Sequence, residues 1–345
     1  MREELRSNRG KVVARLAFLA VMVVSLYILW PSLVAVFSTA PQLLTIEPWW
    51  FVVMLGVEVV SFMCIWTLLR ISLRTSRWFA IAGSQLAGNA FSRIVPGGAA
   101  AGGALQYRML LQARFEAARV GTGLAAASLI STATIFALPI LTLPTILFGA
   151  PVASGLVQAA VLGAVACVVF VALGAVLLTS DRALELLGLG LQRLINMFRR
   201  RRPPTTHLPA LLLKERNEIR HELGEDWWKA LLAAAGNWVF DYLALLAALT
   251  AVGARPRPSL TLLAYVSAVV LGMIPITPGG LGFVEAGLTA TLTLAGVSGP
   301  DAVLATLAYR LVSYWLPILV GPIAYYLFAR HYHRPRSEPS AAGGG

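Results

Sequence analysis

Five ionisable side chains lie inside otherwise apolar stretches of this sequence: Glu58, Arg93, Asp241, Glu285 and Arg310. A charge in hydrocarbon costs about 2.5–3.5 kcal/mol on insertion scales, so each needs a partner or water. Arginine offers a planar fork of donors that matches a phosphate or carboxylate in two bonds at once. The acids can pair with those arginines, or hold a cationic group or a proton. Asn237 stands four residues before Asp241, on the same face of a helix. Arg108 follows shortly after Arg93 and adds a further cation. Together these types suit a polar pocket for an anionic headgroup. They equally suit ion pairs that hold helices together. Enzyme signatures are missing: there is no GxSxG, HExxH or GxxxxGK[ST], and no Gly-rich loop after a strand. No catalytic residue, cofactor or metal site is expected.

The elements that must position these residues are membrane helices. The chain has 345 residues, 58% hydrophobic and 13% charged, against about 25% charged for soluble domains. Its apolar residues fall in blocks at about 12–37, 49–69, 120–148, 152–178, 227–252 and 302–329. Each is long enough to cross a core of about 30 Å as a helix. Helices satisfy every backbone group within the segment, and no strand-like alternation argues for a barrel. The expected fold is all-α, with six spanning helices. Two further stretches, 78–107 and 259–297, are apolar but broken by Gly and Pro.

A net charge of +12 is also a feature of nucleic-acid binders, but its placement points to a membrane instead. All but four of the 28 basic residues (the exceptions are Arg93, Arg255, Arg257 and Arg310) fall on one side if the N-terminus is cytoplasmic. That is the positive-inside pattern, with anionic phospholipid headgroups as partners. It predicts a bacterial inner-membrane protein with both termini in the cytoplasm. Connections 70–77 and 108–119 then share one face. The stretch 78–107 between them has 30 residues, about 45 Å of helix, where two crossings need about 60 Å. It reads as a re-entrant hairpin turning at VPGGAAAGG. The stretch 259–297, with IPITPGGLG, reads as a second hairpin or as two short crossings.

The units 49–148 and 227–330 follow one plan. Each opens with a Trp pair, Trp49-Trp50 or Trp227-Trp228. Each has an acid in its first helix, Glu58 or Asp241. Each then breaks at a Pro-Gly-Gly, Pro96-Gly97-Gly98 or Pro278-Gly279-Gly280, and closes with one helix. Acid and proline are 38 residues apart in the first unit and 37 in the second. By charge the units enter from opposite faces, which makes an inverted repeat. Broken segments at matching positions of such repeats point to a transport site. Gly97, Gly98, Gly279, Gly280 and Gly282 permit backbone shapes closed to other residues.

Between the units, 180–226 reads as a basic amphipathic segment on the cytoplasmic leaflet. Residues 331–345 read as a disordered tail. The transmembrane domain is taken as 1–330. Cys64 and Cys167 read as small buried hydrophobes.

Three segments resemble one known family. IPITPGGLGFVEAGLTATLTLAGV (274–297) and AYRLVSYWLPILVGPIAYY (308–326) look like the C-terminal signature of the lysylphosphatidylglycerol synthase transmembrane region, also called the flippase-like family. GNAFSRIVPGGAAAGGALQYRML (88–110) resembles its earlier motif. Pro278, Gly279, Gly280, Gly282, Glu285 and Arg310 match the pattern, with Asn89, Pro96, Gly97 and Arg108 matching more loosely. The family often carries a Gly-Glu pair after the first Pro-Gly, whereas here no acid occurs before Glu116. The resemblance implies lipid translocation through a cavity between the repeats. Soluble-solute transport, or a non-transporting partnership with a lipid-modifying or glycosyl-transferring enzyme, is the alternative. The chain ends fifteen residues after its last helix, so the resemblance implies no aminoacyl transfer.

Overall fold

The computed structural model describes residues 41–95, 98–138, 179–198, 226–273 and 278–332, with scattered positions between 165 and 217. The expected first helix at 12–37, nearly all of the block at 152–178, Pro96, Gly97, Cys167 and most of 199–225 and of the tail lie outside the described residues. Among the described residues, all regular structure is helical.

The first unit comprises α1 (Pro48–Ser72), α2 (Trp78–Ile94), α3 (Gly98–Gln112) and α4 (Ala117–Ala137). A separate amphipathic helix follows, α5 (Asp181–Phe198). The second unit comprises α6 (Trp227–Ala251), α7 (Pro258–Met273), a tight turn at Pro278–Gly280, α8 (Phe283–Leu294) and α9 (Gly299–Arg310). A wide π turn, Leu311–Trp315, joins α9 to α10 (Leu316–Tyr332). Among the described residues, four segments are long and apolar enough to cross a membrane: α1, α4, α6 and the continuous Gly299–Tyr332. The helices of the broken stretches are shorter, with 17 and 15 residues in α2 and α3 and 16 and 12 in α7 and α8. At 1.5 Å per residue they reach about 18–26 Å, less than a hydrocarbon core.

Helices α1 and α6 pack along most of their length, and their register shows how. Ser61 bonds Asn237, and Cys64 lies against Gly236. The pairing number rises in α1 as it falls in α6, so the two helices run antiparallel. Helices α2 and α10 are also antiparallel, with Gly83 against Phe328 and Gly321 against Ala90.

Two apolar clusters occupy opposite ends of this bundle. One gathers Leu43, Ile46, Leu138, Leu249, Val297 and Ala302. The other gathers Leu73, Ala113, Val120, Ala230 and Phe328. The connections 73–77 and 113–119 meet directly. Arg119 donates to the Arg74 carbonyl at 2.6 Å, and Arg77 donates to the Ala113 carbonyl at 3.2 Å. Hairpin α2–α3 therefore begins and ends at the same end of the bundle.

Small residues let α2 and α3 approach closely. A Cβ added to Gly102 would strike the Gly88 carbonyl and lie 2.6 Å from Ser92 Cβ, while one on Gly103 meets nothing within 4 Å. Gly102→Ala should thus lower stability by about 1–3 kcal/mol through overpacking. Gly103→Ala should be neutral or slightly stabilising. Thermal unfolding of the two variants in detergent checks this, and equal behaviour would contradict the close approach.

Candidate functional site

The polar residues of the apolar stretches converge between the two end clusters. Glu58 and Asp241 lie near the middles of α1 and α6. The register that pairs Ser61 with Asn237 sets the two acids opposite each other, and their carboxyl groups are within hydrogen-bonding reach. Asp241 Oδ2 accepts from Tyr265 of α7 at 2.5 Å and from Tyr309 of α9 at 2.8 Å. Glu58 is 5% exposed, and its Oε2 has no hydrogen-bond partner among the described residues. Asn237 turns to Ser61, donating from Nδ2 to Oγ at 2.7 Å. It belongs to the α1–α6 clasp and lines neither cavity described below.

Arg93, at the end of α2, reaches across to the second unit. Its Nη1 donates to the Ser313 carbonyl at 2.7 Å, and its Nε donates to Asn89 Oδ1 at 2.7 Å. The Ser313 carbonyl is available for a sequence reason. Residue 317, which would donate to it in an α-helix, is a proline and has no N–H. The π turn around it is the kind of local widening that clusters at functional positions. Tyr314 in that turn donates to the Arg93 carbonyl at 3.2 Å. The guanidinium carbons of Arg93 and Arg310 lie 4.8 and 4.1 Å from the centroid of the Tyr314 ring. A desolvated cation over an aromatic face is attracted by about 2 kcal/mol.

The Pro278–Gly280 turn closes on this point. Gly279 has φ of 60°, and a Cβ there would collide with the Tyr314 hydroxyl and sit 2.8 Å from the Arg93 carbonyl. Only glycine meets both demands. Gly98 also has positive φ, at 48°, and starts α3. The second hairpin tip thus touches the end of the first hairpin's α2.

Arg310 and Glu285 form a buried ion pair, Nε to Oε1 at 2.8 Å. The pair joins the first turn of α8 to the last turn of α9. It leaves Arg310 Nη2 and Glu285 Oε2 without hydrogen-bond partners among the described residues. Arg310, Arg93, Tyr314, Tyr309, Tyr265 and Trp238 line a cavity of about 260 Å³. A second cavity, about 360 Å³, lies among α1 to α4 and is lined by uncharged polar groups including Gln85, Asn89, Ser92, Gln106 and Ser131. The larger cavity has no charge in its wall, whereas the smaller holds both arginines. Two hydrogen bonds tie the walls together, Arg93 to Asn89 and Trp238 Nε1 to the Ser131 carbonyl at 2.9 Å.

The structure therefore brings together Glu58, Asn89, Arg93, Asp241, Gly279, Glu285 and Arg310. Arg108 is exposed on α3 and lines neither cavity. Sequence reasoning missed Tyr265, Tyr309 and Tyr314. Tyrosine hydroxyls inside apolar segments were the available signal, since a buried hydroxyl needs a partner.

A chain whose described elements are all helical, with membrane-spanning segments and buried charges at mid-helix, is an integral membrane protein. Residues 13–321 match the family described as lysylphosphatidylglycerol synthase TM region, and the chain belongs to that family. Curated relatives are similar over shorter stretches. A UPF0104 membrane protein of Methanothermobacter thermautotrophicus is 32% identical over 89 residues, 26% of this chain and 25% of that protein. One of Pyrococcus horikoshii is 33% identical over 86 residues, 25% and 26% of the two chains. One of Methanocaldococcus jannaschii is 37% identical over 70 residues, 20% and 30% of the two. The matched stretches span about a quarter to a third of these relatives' length.

Removing one member of a buried ion pair strands the other charge. Arg310→Ala is expected to destabilise by about 3–5 kcal/mol, and adding Glu285→Gln to recover much of that loss. A double-mutant cycle read by thermal unfolding in detergent measures the coupling. Additive losses would show that the pair contributes no mutual stabilisation.

Proposed function

We propose that the protein is a lipid translocase that moves a polar, anionic or modified headgroup through the arginine-lined cavity. The observation that carries this reading is the Nη2 group of Arg310. It is a buried donor without a partner among the described residues, on a side chain that lines the cavity together with Arg93. An unpaired buried donor is costly, and an anionic oxygen is the group that satisfies it best. A lipid has one polar group to pass while its tails stay in hydrocarbon.

The topology proposed with this function is an inverted repeat of units 49–148 and 227–330. The antiparallel run of α1 and α6 supports it, since these are the corresponding first helices. The direct contact between connections 73–77 and 113–119 supports a hairpin that enters and leaves by one face. Helices too short to cross alone support dips in both units. Irregular backbone at that depth is tolerated beside protein or a wet cavity, and the Pro278–Gly280 turn lies against Arg93 and Tyr314. The reading places the chain in a bacterial inner membrane with both termini cytoplasmic and with α5 on the inner leaflet, a helix whose apolar Leu186, Leu187 and Leu189 are exposed.

Reconstitution tests the proposal. Vesicles holding the protein should exchange headgroup-labelled phosphatidylglycerol between leaflets faster than empty vesicles. Arg93→Lys keeps the charge but loses the fork, and should slow exchange about tenfold or more. No acceleration for any anionic, zwitterionic, aminoacyl or glycosylated lipid would reject the translocase. Solute uptake without lipid movement would favour a carrier for soluble substrates. Full function of Arg310→Ala alongside loss from changes in 181–226 would favour a partner of a lipid-modifying enzyme.

A further inference from the structure

We infer that Glu58 and Asp241 form a proton-binding site that couples headgroup movement to a proton gradient; this rests on the translocase reading above. The geometry is a face-to-face carboxyl pair on two antiparallel helices. Register alone puts Glu58 opposite Asp241, because Ser61 bonds Asn237 one turn away. Two carboxylates in contact in a site of low dielectric repel strongly. A single proton between them removes the repulsion and makes a hydrogen bond.

Every neighbour of the pair fits this occupant. Tyr265 from α7 and Tyr309 from α9 both donate to Asp241 Oδ2 and occupy its lone pairs. Glu58 Oε2 is the buried oxygen that lacks a hydrogen-bond partner among the described residues. A bare metal cation takes six or more oxygens when hard, whereas a proton needs two. Among the described residues, no arginine or lysine nitrogen lies within 4 Å of either carboxyl, so no salt bridge neutralises the pair. The remaining charge that faces it is Arg93 of α2, which interacts with both acids over a longer distance. Arg310 and Glu285 pair with each other.

Arg93 links the two sites. It interacts with both acids and lines the headgroup cavity. An anionic headgroup drawn to Arg93 takes up the positive charge that otherwise offsets the acids. The acids then hold a proton more readily, so headgroup and proton bind together. Linkage makes this reciprocal: a proton on the pair frees Arg93 for the headgroup, and headgroup affinity rises as pH falls. The coupling needs no group beyond those named and moves proton and anion in the same direction.

The test uses the full chain in vesicles with short-chain, headgroup-labelled phosphatidylglycerol as the probe. An imposed pH gradient should drive the probe toward the alkaline leaflet, about tenfold over its level without a gradient. Glu58→Gln and Asp241→Asn, close isosteres, should lose the response to the gradient. Size-exclusion elution and thermal unfolding show whether they remain folded. Infrared difference spectra of the folded protein give a readout independent of lipid. A carboxylic-acid C=O band should grow as pH falls, vanish in Glu58→Gln and change when the probe is added.

Probe exchange that ignores the gradient in the wild-type protein overturns the coupling and leaves the translocase reading standing. A band unaffected by Glu58→Gln overturns the proton site whatever the lipid result. A response to a sodium gradient in place of the pH gradient overturns the identity of the ligand. If no lipid moves at all, the translocase reading and the coupling fall together, and the infrared band alone decides the proton site.

Discussion

The fold turns on the position of one guanidinium. Arg93 sits at the end of a helix from the first unit and bonds a carbonyl in the second. A charged group in hydrocarbon stays only where the protein supplies acceptors. Here the acceptors come from Asn89 one turn back and from Ser313, whose carbonyl Pro317 leaves without its helical donor. Tyr314 adds its ring face and its hydroxyl. Gly279 can close on the same point because it has no side chain. Satisfying this one cation therefore ties α2, the second hairpin tip and the π turn together.

The rest of the polar interior follows from that knot. With α2 and the π turn joined, Arg310 faces the same cavity as Arg93. Two like charges that share a cavity repel, and the Glu285 carboxylate offsets one of them. The acids of α1 and α6 stand near Arg93, and the tyrosine donors of Asp241 line the same cavity. The site thus groups a carboxyl pair, two arginines and a third carboxylate around one cavity. A ligand that engages the cavity changes the electrostatic balance around Arg93. The proposed translocase requires an equilibrium between states that responds to what is bound.

The helices contribute rigidity by close approach more than by apolar burial, since lipid tails offer no hydrophobic drive between them. Gly88 with Gly102, Gly123 with Leu73, and Gly321 with Ala90 are contacts where a methyl group would collide. They lie along α2 and beside it, where the arginine must be held in register. Larger residues, Met54, Leu68, Phe328 and Leu245 among them, fill the two end clusters. The polar residues occupy the zone between, where the packing leaves cavities.

Much of this was written in the linear chain. Apolar blocks with basic connections fixed the class, because twenty-residue hydrophobic runs have few other stable homes. Pro278-Gly279-Gly280 marked a tight turn through the chemistry of those residues, and the charge bookkeeping grouped connections 70–77 and 108–119, which meet in the fold. The five intramembrane charges all proved to lie in one region, since burying them apart would leave each unsatisfied. Tertiary structure decided the partners. Arg108 read as a further cation for the pocket, yet it is exposed on α3. Asn237 looked like a site residue, yet it clasps Ser61. The tyrosines that hold Asp241 come from helices 24 and 68 residues away, and no local pattern announces them. Sequence determines which groups cannot face lipid, because that is a property of each residue; only the packing of distant helices decides which of them meet, because partner choice depends on register and rotation.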